Sequence, residues 1–215
     1  MLGPVLHKHI ENYLNDTGSH HLAKTEHVQA NRHVLQCFCD NGLFVNAKKC
    51  EFHKEQMSFL GVEVSADGFE MEKSKVETVQ EWKVLGTVRG VREFMGFCNF
   101  YQRFIKDFSE IAQPLHDLTK LGQKWEWTEK EDNAFELLKE AISQSPVLIH
   151  ADPTKRFQME TDASDFAYGA VLSQKGSDQK FHPIAFYSKS MNPAERNYGI
   201  SDKEALPIVK GLQHW

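Results

Sequence analysis

From Lys155 to Met191 the chain alternates apolar and polar residues in three runs, KRFQMETDAS, FAYGAVLSQKG and FHPIAFYSKSM, separated only by turn-rich segments. Period-two alternation sends successive side chains to opposite faces of a strand, so each run has one face to bury, and the turns reverse the chain between runs. The three predict an antiparallel meander. The segments on either side read as helices. In TEKEDNAFELLKEAISQSPVL, Thr128 is a good N-cap, Glu131 completes a capping box, Phe135, Leu138 and Ile142 form one face, and Pro146 stops the helix. In SDKEALPIVKGLQHW, Ser201 is the expected N-cap with Glu204 as its capping-box partner. Pro207 lies inside that helix, where a lost backbone hydrogen bond and a clash cost about 3 kcal/mol, so a kink or fray is expected past the first turn.

The first half repeats the mixture. KTEHVQANRHVLQCFCDNGL places Val28, Asn31, Val34, Leu35 and Phe38 at helical intervals and ends on Asn41-Gly42, a C-cap signal. SFLGVEVSADGFEME alternates Phe59, Gly61 and Glu63 against Leu60, Val62 and Val64, then turns on Asp67-Gly68 into a return strand. From SKVETVQEW through TVRGVREFMGFCNFYQRFIKDF the spacing is helical, broken near Val84-Leu85-Gly86, and predicts two packed helices. Phe94, Phe97, Tyr101, Phe104 and Phe108 recur on one face, so most of them belong to a core.

With 215 residues the chain can form one large domain or two small ones, and 40% hydrophobic with 26% charged residues is ordinary for a soluble globular protein. The net charge of −5 argues against nucleic-acid binding by bulk electrostatics; such binding would need local patches. No apolar run is long enough to span a membrane and the start lacks the order of a secretory signal, so no membrane partner and an intracellular location, cytoplasm or nucleus, are expected. The four cysteines are too few and irregular for a disulfide scaffold and read as free thiols. Cys50-x-x-His53 with Cys37 and Cys39 upstream lacks the regular second pair of a zinc site, and the 11 histidines are scattered.

Four separated stretches then become specific: NGLFVNAKKCEFHKEQMSFLGVEVSADG, REFMGFCNFYQRFIKDFSEIAQPLHDLTK, FQMETDASDFAYGAVLSQ and HPIAFYSKSMNPAERNYGISDKE. In this order they resemble the reverse transcriptase and ribonuclease H region of Gypsy/Ty3-type long-terminal-repeat retrotransposon polyproteins. The resemblance implies an α+β chain in three parts. Residues 1–69 would be the end of a polymerase palm, 70–122 the thumb and connection, and 123–215 the start of a ribonuclease H-like α/β domain. It implies RNA-directed DNA polymerisation and cleavage of RNA in RNA–DNA hybrids as the family's reactions, with RNA–DNA hybrid or DNA duplex and other parts of a retroelement polyprotein as partners. Phe59-Leu60-Gly61 would be the primer-grip hairpin, beside the plainer reading of a hairpin turn.

Both reactions use two magnesium ions about 4 Å apart, and such hard cations need several converging carboxylates. VLHKHIENYLND aligns with the family's stretch through its paired polymerase aspartates, which puts Asn15 at the first position and Asp16 at the second; the third carboxylate belongs to a strand further upstream. Asn15 offers a neutral oxygen in place of a charge. His9, Glu11 and Asn12 replace the family's apolar run. In the nuclease part the resemblance makes Asp162 and Glu204 the first two metal ligands, with two further acids expected downstream. Read locally, Asp162 is a strand-end turn residue and Glu204 a capping partner. Asp16, Asp162 and Glu204 would therefore hold magnesium weakly or not at all, and the chain by itself is expected not to turn over. The alternatives are a piece of a longer active polyprotein, or a non-catalytic binding module that uses Arg89, Arg92, Arg103 and Lys106 as a nucleic-acid face among interleaved aromatics.

Overall fold

The Asn41-Gly42 stop is realised as a Schellman cap on α1 (Lys24–Asp40): Gly42 takes φ 68° and its N–H donates to Cys39 O at 3.1 Å, while Leu43 N–H donates to Phe38 O at 2.9 Å. The structure is a computed structural model that describes residues 10–13, 16–19 and 24–215, and it divides into two units, Met1–Leu60 and Gly61–Trp215. In the first unit β1 (Ile10–Tyr13) pairs antiparallel with β2 (Asp16–Ser19). α1 buries Val34 among Ala30, Cys37 and Phe38, and the unit runs on through β3 (Gln56–Phe59).

The second unit opens on β4 (Val62–Ser65) and β5 (Phe69–Met71), an antiparallel hairpin turning at Asp67-Gly68 as its sequence predicts. The single strand expected across Phe59–Val64 is interrupted. Leu60 and Gly61 take φ 54° and 75°, and two successive left-handed residues are a chain reversal. Alternation continues on both sides of the turn, and Leu-Gly is not a usual turn pair, so periodicity alone hides the break.

Helices α2 (Lys73–Gln80) and α3 (Val88–Phe100) follow. The helical run predicted to continue to Phe108 instead breaks at Tyr101 into a 3-10 turn at Gln102–Phe104, then α4 (Phe108–Ile111) and α5 (Gln113–Leu118). The chain leaves helical geometry at Ile105, which is extended at φ −114° and ψ 115°, and again at Asp107, whose φ of 53° no continuous α-helix accommodates. The core assignment survives it: Phe94, Tyr101, Phe104 and Phe108 are all buried and Phe97 packs beside them. Helix α6 (Glu129–Ser143) starts with the predicted capping box, Thr128 Oγ1 and the Glu131 carboxylate serving each other's backbone donors, and buries Phe135, Leu138 and Ile142. Phe135 meets Phe94 with ring centroids 4.7 Å apart, which joins α6 to α3.

The meander is present as β6 (Phe157–Ala163), β7 (Ala167–Lys175) and β8 (Phe181–Ser190), antiparallel in that order, with a register shift at Leu172/Ser173. The chain continues into α7 (Ile200–His214). Two expectations fail here. Gly199, not Ser201, is the N-cap and makes no side-chain cap hydrogen bond, so Ser201 already lies in the first turn and the Glu204 capping box is absent. The helix also runs through Pro207 without interruption; the proline is buried with Gly211, and that packing offsets the missing hydrogen bond. A Cβ on Gly211 would stand 2.7 Å from Met159 Sδ and 3.5 Å from Ala170 Cβ, so α7 packs closely on β6 and β7 at this point and a larger residue would have to displace the Met159 side chain.

Candidate functional site

Asp162 is the penultimate residue of β6 and faces Gly169 of β7, which in turn faces Ser188 of β8. Because side chains alternate, Met159 and Thr161 project to one face and Asp162 to the other. Gly211 of α7 approaches Met159 and Ala170, the register partner of Thr161, so α7 covers the first face. The face of Asp162 is covered by the segment around α4. There Ser109 N–H donates to Ser188 Oγ at 2.9 Å, and a Cβ on Gly169 would lie 3.1 Å from Asp107 Oδ1. Asp107, Glu110, Asp162, Ser164 and Ser188 line one small recess. Burial, reinforced by the Asp162 charge and opposed by Lys106, raises the Asp107 carboxyl above its ordinary value.

Glu204 stands exposed just past the first turn of α7. Its neighbour Lys203 ion-pairs with Asp165 at 2.8 Å, and the Arg196 guanidinium sits 5.6 Å from the Phe166 ring centre, so the start of α7 is held against the β6–β7 loop. Asp162 and Glu204 thus come to the same end of the sheet from its two faces. Their hard carboxylate oxygens suit magnesium. Among the described residues no group of three or more His, Cys, Asp or Glu side chains is arranged to hold a metal ion.

Of the polymerase residues, Asp16 opens β2 opposite Tyr13, and Asn15 lies outside the described residues. Phe59 ends β3, and Leu60 and Gly61 form the left-handed turn after it. The four cations have separate settings. Arg89 pairs with Glu93 at 2.9 Å on the exposed side of α3, and Arg92 Nη2 donates to Thr119 O at 3.2 Å. The Arg103 guanidinium lies 5.8 Å from the ring centres of both Phe69 and Phe104, and Lys106 is exposed beside Asp107. Asp107 is the site residue that the sequence pattern passed over, because nothing local distinguishes it. The one signal was on the other side of the contact: Gly169 inside a strand marks a close approach.

Residues 127–215 match the family model described as the RNase H-like domain found in reverse transcriptase. The whole chain is 39% identical to the transposon Tf2-3 and Tf2-4 polyproteins of Schizosaccharomyces pombe over 215 residues, all of this chain and 16% of each relative. Over its whole length the chain is thus similar to retrotransposon polyproteins, and residues 127–215 belong to the RNase H-like domain found in reverse transcriptase. Its fold matches a foamy viral protease-reverse transcriptase solved with an RNA/DNA hybrid, at TM-score 0.78 and 22% identity, over 95% of this chain and 28% of that one. The dRH form of that protein, solved with double-stranded DNA, matches at 0.78 and 22% over 95% and 36%. The α+β elements of this fold are all present in the chain, and Asp162 and Glu204 both lie within the matched residues 127–215. The family uses Mg2+ for its chemistry, and no metal site is formed among the described residues.

Proposed function

We propose that this chain is the polymerase-to-nuclease segment of a retrotransposon reverse transcriptase that handles RNA–DNA hybrid or DNA duplex without catalysing turnover as the 215-residue chain. The observation that carries the loss of polymerase chemistry is Asn15-Asp16 where the family has adjacent aspartates. A neutral amide in place of one carboxylate leaves two divalent charges under-compensated. On the nuclease side Asp162 and Glu204 are inherited ligands that hold magnesium weakly. The choice of partner is supported by the foamy viral proteins of the same fold, which were solved with double-stranded DNA and with an RNA/DNA hybrid.

Two assays test this. Magnesium-dependent primer extension and RNA–DNA hybrid cleavage are both expected to stay at background, and robust turnover in either overturns the proposal. Duplex binding is expected at low salt, weakening as salt rises and again when Arg103 and Lys106 become alanine; no detectable binding at low salt removes the nucleic-acid reading.

A further inference from the structure

The turn at Leu60 and Gly61 is held from the far end of α3. Gly61 O accepts two hydrogen bonds, from Glu72 N–H at 3.1 Å and from the Tyr101 hydroxyl at 3.3 Å. Gly61 has φ 75°, and a Cβ there would run into Tyr101 Oη and come within 3.3 Å of Lys75 Cε. The residue is glycine for both reasons. Tyr101 is well placed to act as a fixed point. It is the C-cap of α3, 3% exposed, with its ring centre 4.9 Å from those of Phe97 and Phe100. Burial, and secondly the negative charge of Glu72, push its phenol above the ordinary value, so it remains a donor at neutral pH.

We infer that Tyr101 is a positioning residue for a recessed 3′ primer terminus: its hydroxyl fixes the carbonyl of Gly61, the turn residue whose backbone would touch the primer end. The inference rests on the proposed nucleic-acid function of this turn. Tyr101 itself touches no nucleic acid in this scheme. Its ring stays in the core when the hydroxyl is removed, so Tyr101→Phe isolates the hydrogen bond.

Two measurements on the full chain test it. Backbone amide exchange in the peptide covering residues 59–63 is expected to quicken about 5-fold in Tyr101→Phe, the equivalent of one ordinary hydrogen bond. Binding to a duplex with a recessed 3′ end should weaken by a similar factor, with affinity for a blunt duplex of equal length unchanged. A merely structural loss would lower both affinities together. Gly61→Ala should be more damaging in the wild-type background than in Tyr101→Phe, where the clashing hydroxyl is gone; additive effects would refute the direct contact. Unchanged exchange in Tyr101→Phe, or a recessed-end preference that the variant keeps, overturns the assignment to Tyr101. A wild-type chain without that preference overturns the primer-end reading, and the inference with it.

Discussion

Three glycines of the second unit differ in one respect each, and alanine at each isolates a separate cost. Gly68 turns the β4–β5 hairpin at φ 146° and lies against the strand-like segment after α6. Phe69 N–H donates to Leu148 O at 2.7 Å and Leu148 N–H to Phe69 O at 2.8 Å. A Cβ on Gly68 would collide with Leu148 O and reach to 2.9 Å from Leu148 C and 3.1 Å from Ile149 Cα, all of it backbone that has no rotamer to yield. The strained φ costs about 1–3 kcal/mol. Opening one of the two bridge hydrogen bonds adds about 1 kcal/mol. Gly68→Ala should therefore lose about 2–4 kcal/mol.

Gly122 has φ 80° but nothing within 4 Å of its Cβ position, so Gly122→Ala carries only the left-handed penalty, about 1–2 kcal/mol. Gly86 has neither a left-handed φ nor a neighbour within 4 Å, and Gly86→Ala should be neutral or gain about 0.4–1 kcal/mol by restricting the unfolded chain. Urea unfolding followed by tryptophan fluorescence reads all three, since Trp82, Trp125 and Trp127 pack against the core these glycines surround. The expected order of stability is Gly86→Ala at or above wild type, then Gly122→Ala, then Gly68→Ala. If Gly68→Ala unfolds within about 0.5 kcal/mol of Gly122→Ala, the backbone contact with Leu148 contributes nothing and the reasoning fails.

Two further substitutions follow from charges and caps. Asp107→Asn should stabilise the fold at neutral pH. A carboxyl whose folded value is raised contributes stability only below its unfolded value and loses it as pH rises through the folded one, so the variant's advantage in thermal unfolding should shrink toward about pH 4. Asparagine also tolerates the left-handed backbone there. Thr128→Ala removes the capping box of α6 and should cost about 1 kcal/mol, read in the same urea titration; a loss under about 0.3 kcal/mol would mean the cap is redundant.

Much of the fold was legible because its signals are local. Thr128 with Glu131, Asn41 with Gly42, and the three alternating runs each became the predicted cap or strand. The same Ser/Thr-x-x-Glu pattern failed at Ser201 and Glu204, and the difference between the two cases is physical. Thr128 is extended, with φ −115° and ψ −179°, and free to cap. The entry to α7 is set instead by contacts with the β6–β7 loop, Lys203 to Asp165 and Arg196 to Phe166, which bring Ile200 into the helix ahead of Ser201. A tertiary anchor overrode a local cap. The Glu204 carboxylate is thereby left exposed rather than engaged in a cap.

The neighbourhood of Asp162 was illegible for a stronger reason. Its motif names the acid but not what lies over it, and the residue that does, Asp107, comes from the helical region in front of α4 rather than from the sheet. Sequence periodicity predicted a continuous helix there, and a continuous helix would not have presented Asp107 at φ 53° above Gly169. The break in the helix and the glycine in the strand are two halves of one fit. Each alone looks like a minor irregularity: a lapse in an aromatic period, and a small residue in FAYGAVLSQKG. Only register pairing of Asp162 with Gly169 joins them, and it places a second carboxylate, from the segment in front of α4, beside Asp162. Any substitution that lets the run from Val88 to Phe108 become one helix should therefore alter the setting of Asp162 without touching the nuclease sheet.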